Sequence, residues 1–350
     1  MSSSAFWQGK RVFLTGHTGF KGAWLTAVLL QAGAEVTGYS LPPPTDPALF
    51  DLLNLKNKIT HIEGDIRNRE KLSAALHDAK PEIVFHLAAQ ALVRPSYEDP
   101  CGTFDINTTG TLNLLEALRA CKGVKAIVSV TSDKCYLNNE TGAYFKEDDP
   151  LGGKDPYSAS KAAAEIVAEA YHQSFFKPAG IPLATARAGN VIGGGDWAKD
   201  RLIPDVARAA AAGHPVLIRS PKATRPWQHV LEPLRGYMML AEKLSSDGEA
   251  FAGGWNFGPR PEAIRPVGDV LAKLKETLPF ELELDSAPQP AEAKTLALDI
   301  HKAGEKLGWH PRLALDEALR WTGEWYNTYA RSNSVEEMTL RQIEDYAARA

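Results

Sequence analysis

The sequence predicts an α/β fold built on a doubly wound parallel sheet, and three observations carry that prediction. Strand-like and helix-like patterns alternate through the first two-thirds of the chain. The glycine-rich "TGHTGFKG" joins the first strand to the first helix. Several strands read as near-continuous apolar runs, as parallel strands covered on both faces do. The loop-rich remainder predicts a smaller C-terminal α/β lobe that binds substrate.

The first strand is the apolar burst "RVFLTG" (11–16), followed by the glycine turn and by "AWLTAVLLQAG", whose spacing suits a buried helix ending at Gly33. "EVTGYS" is the second strand and "KITHIEGDI" the third. "REKLSAALHDA" is a helix that stops near Pro81, and the largely apolar "EIVFHLAA" (82–89) is the fourth strand. "NTTGTLNLLEALRAC" reads as a long helix and "VKAIVSVTS" as the fifth strand. "PYSASKAAAEIVAEAYHQSF" is a helix with proline in its first turn. "IPLATARAGNVIG" supplies the sixth strand and its loop.

Beyond about residue 190 the regularity fades. "GGGDW", "RSPKATRPWQHV", "WNFGPRPEAIRP" and "SAPQPAEAK" are loop-rich and alternate with the helical pieces "LIPDVARAAAAG", "LEPLRGYMMLAEKL" and "VGDVLAKLKETL". "SNSVEEMTLRQIEDYAARA" is a polar terminal helix without a functional signal. Residues 1–190 are therefore expected to form a nucleotide-binding domain and 191–350 mainly a substrate lobe. No linker or low-complexity segment separates them, so the two should interleave.

Composition narrows the function. Of 350 residues 44% are hydrophobic and 23% charged, which suits a soluble globular protein. A net charge of -4 offers nucleic acid no electrostatic footprint, and no apolar run is long enough to cross a bilayer. The start, "MSSSAFWQGKRVFLTG", runs straight into a strand without a basic and then apolar leader, so a cytoplasmic enzyme is expected. Cys101, Cys121 and Cys135 are too few and too scattered for a disulfide framework or a metal cage, and no metal is expected.

Gly16, Gly19 and Gly22 recur at intervals of three between strand and helix. Such glycines permit a tight turn, a close approach of backbone to pyrophosphate, and packing of helix on strand; the helix N-terminus favours the anion. This reads as the phosphate cradle of a Rossmann-type dinucleotide site, with a glycine-rich turn in a nucleotide-free α/β protein as the plain alternative. The second strand ends in Tyr39 and Ser40, offering neither a carboxylate for ribose hydroxyls nor an Arg for a 2′-phosphate. The missing Arg favours NAD, with His17 and Lys21 as the residues to inspect if NADP were preferred. In "EGDIR", Asp65 and Ile66 fall at the adenine edge, with a helix cap as the plain alternative for Asp65.

"PYSASK" holds Tyr157 and Lys161 four apart on one helix face. A phenol is a weak base at neutral pH, and a neighbouring ammonium lowers its pKa. Ser132, at the end of the fifth strand, would hold a substrate alcohol while Tyr157 removes its proton. The next two residues are Asp133 and Lys134, an acid and an amine placed at the carboxyl end of a parallel strand, where α/β sites form. Read plainly, Asp133 caps a loop and Lys134 is a solvated charge.

"TGHTGFKG", "HLAAQALV", "NTTGTLNLLEA", "YSASK", "RAGNVIGGGDW" and the late "LGWHPRLALDEALRWTGEWY" together resemble the extended short-chain dehydrogenase/reductase family of nucleotide-sugar enzymes, over almost the whole chain. "TSDKCY" and "RPWQHVLEPL" add a similarity to its 4,6-dehydratase branch. The resemblance implies NAD as cofactor, lined by Thr18, Phe20, Lys21, Leu87, Ala88, Ala89 and Thr131 beside the glycines, with a nucleoside-diphosphate sugar as substrate. It implies that Asn107 supports the lysine, a helix cap being the plain alternative, and that Asn190, Arg201, Arg219 and Arg225 bind the sugar or its diphosphate. Where many relatives carry an Arg before a Gly-Asp pair, this chain has Gln289 and Glu292 in "PQPAEAKT", which departs from that clamp. His86 and His229 read as packing residues. Relatives pair through two helices, so the helices of "TGTLNLLEAL" and "YSASK" are expected to form a homodimer.

The branch also gives Asp133 and Lys134 their reason. An epimerase needs only the hydroxyl, the Tyr and the Lys. A dehydratase must also take the C5 proton and protonate the departing O6, which requires one more base and one more acid. dTDP-glucose dehydratases carry Asp-Glu here; this chain keeps the Asp and replaces the Glu by Lys134, either the C5 base or an electrostatic stabiliser. A 4-epimerase and a catalytically silent NAD-binding sensor are the competing expectations.

Overall fold

A computed structural model describes residues 4–218, 220–284, 296–332 and 334–349. The central element is a seven-stranded sheet in which every neighbouring pair runs parallel. Six strands come from the first part of the chain: β1 (Arg11–Thr15), β2 (Glu35–Ser40), β3 (Thr60–Glu63), β4 (Ile83–His86), β5 (Ala126–Val130) and β6 (Leu183–Ala188). The seventh, β7 (Gly253–Phe257), comes from the C-terminal part and lies beside β6, giving the order β7-β6-β5-β4-β1-β2-β3.

Alternation along the strands sorts their side chains onto two apolar layers. Val12, Leu14, Ile83, Phe85, Ala126 and Val128 face one core with helix α1 (Phe20–Gln31). Phe13, Val84 and Ile127 face the other, where α2 (Arg69–Ala79), α3 (Gly110–Arg119) and α4 (Pro156–Tyr171) pack. Burial on both faces explains why β4 and β5 contain hardly an exposed position. α5 (Leu202–Ala212) borders the cleft, and α6 (Leu231–Asp247) lies against β5, β6 and β7. α7 (Val267–Leu274) and α8 (Leu315–Ser332) pack on each other in the C-terminal part.

Three differences from the sequence reading have physical causes. The fourth strand ends at His86, not Ala89, because Leu87, Ala88 and Ala89 turn away to line the cleft. "WNF", at the head of a stretch read as loop, belongs to β7, "GGWNF": its strand character is diluted by two glycines and a flanking proline, and Trp255 and Phe257 are fully buried by tertiary packing. The terminal helix α9 (Glu336–Ala347), polar in sequence, nonetheless has a buried face. It packs on α8 and buries Ile343 and Tyr346, and Tyr346 donates to the buried Glu232 at 2.6 Å. Among the described residues no helix is long and apolar enough to cross a membrane.

Candidate active site

A cleft of about 2070 Å³ opens at the carboxyl ends of the strands. Drug-sized pockets are typically about 300–1,000 Å³, so this one has room for a dinucleotide and a second large ligand together. Its floor is the turn between β1 and α1. Gly16 takes φ +77, and a Cβ there would lie 2.6 Å from the Ala88 backbone nitrogen; at Gly22 a Cβ would lie 2.1 Å from the Gly16 carbonyl oxygen. Backbone therefore packs on backbone, as a pyrophosphate cradle requires. Gly19 caps α1 without a side-chain bond, leaving the first-turn N–H groups for an anion. The residues present fit NAD.

At the far end of this cradle the Thr18 and Ser40 hydroxyls lie 2.8 Å apart, and Thr18 also donates to the Leu41 carbonyl at 2.9 Å. Asp65 and Ile66 line the adjoining wall. Asp65 is not the helix cap: Asn68 caps α2, accepting from the Lys71 N–H at 3.0 Å, while Asp65 holds Arg67 in an ion pair at 2.6 Å. His17 is buried with Nε2 2.7 Å from His61 Nδ1, and burial, then His61, lower its pKa to about 3.

Lys21 sits at the other end, among the reacting groups. Burial lowers its pKa to about 7; Arg201 adds to the fall, Asp133 opposes it, and Lys161 and Lys134 add further. It lines the cleft, and its ammonium lies 6.0 Å from the Tyr237 ring.

Ser132, Asp133, Lys134, Tyr157 and Lys161 all line the cleft. Ser132 caps a short turn, Asp133–Cys135, accepting from the Lys134 N–H at 3.2 Å and donating to Asp133 Oδ1 at 3.1 Å. The Lys134 ammonium reaches Asp133 Oδ1 at 3.5 Å while its side chain stays 27% exposed, so it can meet a ligand. Asp155 caps α4 by accepting from Ser158 N–H, and the Tyr157 N–H donates to Ser96 Oγ at 3.2 Å; these bonds fix the start of the helix that carries Tyr157 and Lys161.

Burial raises the pKa of Tyr157. Lys134 and then Ser132 act to lower it, Asp133 raises it, and Arg201 lowers it. The cation acting most on the phenol is thus Lys134, whereas the spacing alone had suggested Lys161. Burial lowers the pKa of Lys161 to about 8, against the pull of Glu165.

Asn190, Arg201 and Arg225 line the same cleft. Arg201 pairs with the buried Asp196 at 2.9 Å, a partner its sequence neighbourhood did not reveal. Arg219, Gln289 and Glu292 lie outside the described residues. Asn107 does not reach the cleft and is not a cap: it sits within the helical turn Asp105–Thr109, where its side chain accepts from the Gln90 N–H and donates to the Gln90 carbonyl and to Ser160 Oγ at 2.9 Å. It braces the residue next to Lys161 instead. His86 bridges Thr15 and Thr111 at 2.7 and 3.0 Å, and His229 lies edge-on to Trp24 and Trp321.

Sequence reasoning missed the buried Glu165–Arg187 pair behind the centre, at 2.7 Å. A Glu four residues after Lys161 and an Arg inside an apolar strand were the available signals.

The sequence model of a family described as GDP-mannose 4,6 dehydratase matches residues 13–322. The chain is 49% identical over 353 aligned residues to a CDP-glucose 4,6-dehydratase of Salmonella typhimurium, covering 99% of this chain and 98% of that one. Its structure is similar to a UDP-glucose 4-epimerase of Thermus thermophilus in complex with NAD, at a TM-score of 0.77 and 27% identity, covering 90% and 98% of the two chains. A dTDP-glucose 4,6-dehydratase of Streptomyces venezuelae, solved with NAD bound, shares the fold at a TM-score of 0.76 and 23% identity, covering 91% and 97%.

Proposed function

We propose that this chain, which belongs to the family described as GDP-mannose 4,6 dehydratase among the extended short-chain dehydrogenases/reductases, converts CDP-glucose to CDP-4-keto-6-deoxy-D-glucose with NAD as a returning cofactor. One observation carries the reaction type: an acid–amine pair, Asp133 and Lys134, stands beside the Tyr157 oxidation centre in one cleft. The CDP-glucose assignment rests on the relative that shares 49% of its residues over 99% of the chain. Such a product suits the synthesis of deoxysugars for O-antigen-type polysaccharides.

NAD, when bound, accepts a hydride from C4 and returns it to C6. The chain's own residues do the rest. Ser132 holds the O4 hydroxyl and Tyr157 removes its proton. The resulting 4-keto group acidifies C5–H. Asp133 in its acid form protonates the departing O6, which leaves as water, and recovers its proton from Tyr157; Lys134 in its neutral form takes the C5 proton, stabilises the enolate by the charge it thereby gains, and returns a proton to C5 as the hydride returns to C6. The Lys161 ammonium supports the phenol side of the site, and Arg201 and Arg225 meet the diphosphate.

The test is a screen of CDP-, dTDP-, GDP- and UDP-glucose for loss of water, read as the near-ultraviolet absorbance that keto-deoxy sugars develop in alkali. CDP-glucose should give the signal, and turnover in deuterated water should place deuterium at C5 of the product. Inversion at C4 without dehydration would establish a 4-epimerase in its place.

Cofactor choice has its own test. The Thr18–Ser40 pair offers hydroxyls to a ribose, and Arg67, the guanidinium beside Asp65, is already neutralised by it. Calorimetry should therefore show NAD binding more tightly than NADP; tighter NADP binding would overturn the assignment.

The reading extends to assembly and place. Ile166 on α4 is 59% exposed, and pairing of two copies through α3 and α4 would cover it. Three free cysteines, one of them exposed, suit a reducing cytoplasm.

A further inference from the structure

Glu165 lies one helical turn after Lys161 and two turns after Tyr157 on α4, so it shares their face of the helix. It is 3% exposed, yet it receives four hydrogen bonds. Thr185 Oγ1 on β6 donates at 2.6 Å, and Arg187 donates from Nε at 2.9 Å and from Nη2 at 2.7 Å. Thr131 Oγ1, immediately before Ser132, donates the fourth. Arg187 reaches onward from Nη1 to the Tyr136 hydroxyl and the Glu147 carbonyl, each at 2.8 Å. The pair therefore ties three pieces of the site together: the helix of Tyr157 and Lys161, the strand end that leads into Ser132, and the loop that follows Asp133 and Lys134.

Stability alone is a weak reason to bury such a pair, since well-packed apolar residues of similar volume often serve as well or better. We propose that Glu165, clamped by Arg187, is a positioning residue for the dehydration: it fixes α4 against the end of β5 and supplies the counter-charge for Lys161. This inference rests on the function proposed above. The groups that face Lys161 from the surrounding elements are consistent with it. Lys21 from α1, its pKa lowered to about 7, carries a positive charge or none, and burial keeps His86 from β4 neutral, with a pKa lowered to about 3. Burial pushes the Cys135 thiol well up, so it carries no charge at neutral pH, and Tyr157 is raised on the same helix. Glu165 is left as the anion acting on an ammonium that burial has already lowered to about 8. Burial also opposes the charge of Arg187, but Glu165 more than restores it.

Two variants test the inference. Glu165→Gln removes the charge and keeps the shape; Glu165→Gln with Arg187→Gln also removes the arginine that would otherwise be left unpaired, so it guards against a failure to fold. Lys161 is followed directly, by carbon NMR of protein labelled at the lysine ε-carbons, its signal assigned by loss in Lys161→Met. The sign is fixed: an anion raises the pKa of an ammonium, so its removal lowers the Lys161 midpoint, by about one pH unit for an opposite charge one helical turn away. The alkaline limb of C4 oxidation should move down with it, and Thr185→Val, which keeps the charge and loses one bond, should leave the limb in place. An unmoved Lys161 midpoint in whichever Gln variant folds would overturn the proposal. Because the titration needs no substrate, wild-type enzyme that fails to turn over CDP-glucose counts against the proposed function and not against this inference.

Discussion

Tyr157→Phe should slow C4 oxidation by roughly two to four powers of ten, the usual loss for a positioned general base. The substitution keeps the ring, which is only 7% exposed, so folding should be undisturbed. The structure sharpens why the phenol needs help. Burial is the largest influence on Tyr157 and raises its pKa, which disfavours phenolate, and Lys134, Ser132 and Arg201 act in the other direction. The positive ring of bound NAD adds to that opposing set. Rapid mixing with CDP-glucose, followed by NADH absorbance, measures the step. A rate near wild type would remove Tyr157 from the mechanism and leave the O4 proton without an identified base.

Much of this site was legible because its parts are local in sequence. The glycine turn, the "YSASK" pair and the strand-end "SDK" each announce a backbone geometry within a few residues, and α/β topology brings strand ends to one edge of the sheet. What stayed hidden depends on distant partners. β7 was masked by its glycines and by a pairing with β6 that spans dozens of residues. Glu165 looked like one charge among several on a helix until β6 placed Thr185 and Arg187 against it. Asn107 was legible as a support for Lys161 or a cap, but its partners, Gln90 and Ser160, come from other elements.

Asp133→Asn and Lys134→Met should separate dehydratase from epimerase chemistry, and the structure predicts that they will not behave alike. Asp133→Asn keeps size and polarity but cannot donate a proton to O6 as an acid. Asp133 also raises the pKa of Tyr157, so its neutralisation leaves oxidation at C4 intact or faster. Bound NADH should therefore build up while keto-deoxy product forms roughly two to four powers of ten more slowly. Lys134→Met removes an ammonium with two duties. It stands 3.5 Å from Asp133, and it is the cation that most favours the Tyr157 phenolate. Both half-reactions should slow, oxidation because the phenol loses the cation that most favours its ionised form. Nothing in the sequence alone pointed to that coupling, since a pair reserved for elimination would spare the first step. Single-turnover NADH traces distinguish the cases: accumulation in Asp133→Asn, and a slow rise in Lys134→Met. Product formation at the wild-type rate in Asp133→Asn would make the pair a bystander, and a centre of Ser132, Tyr157 and Lys161 alone is equipped only to take a hydride from C4 and give it back there.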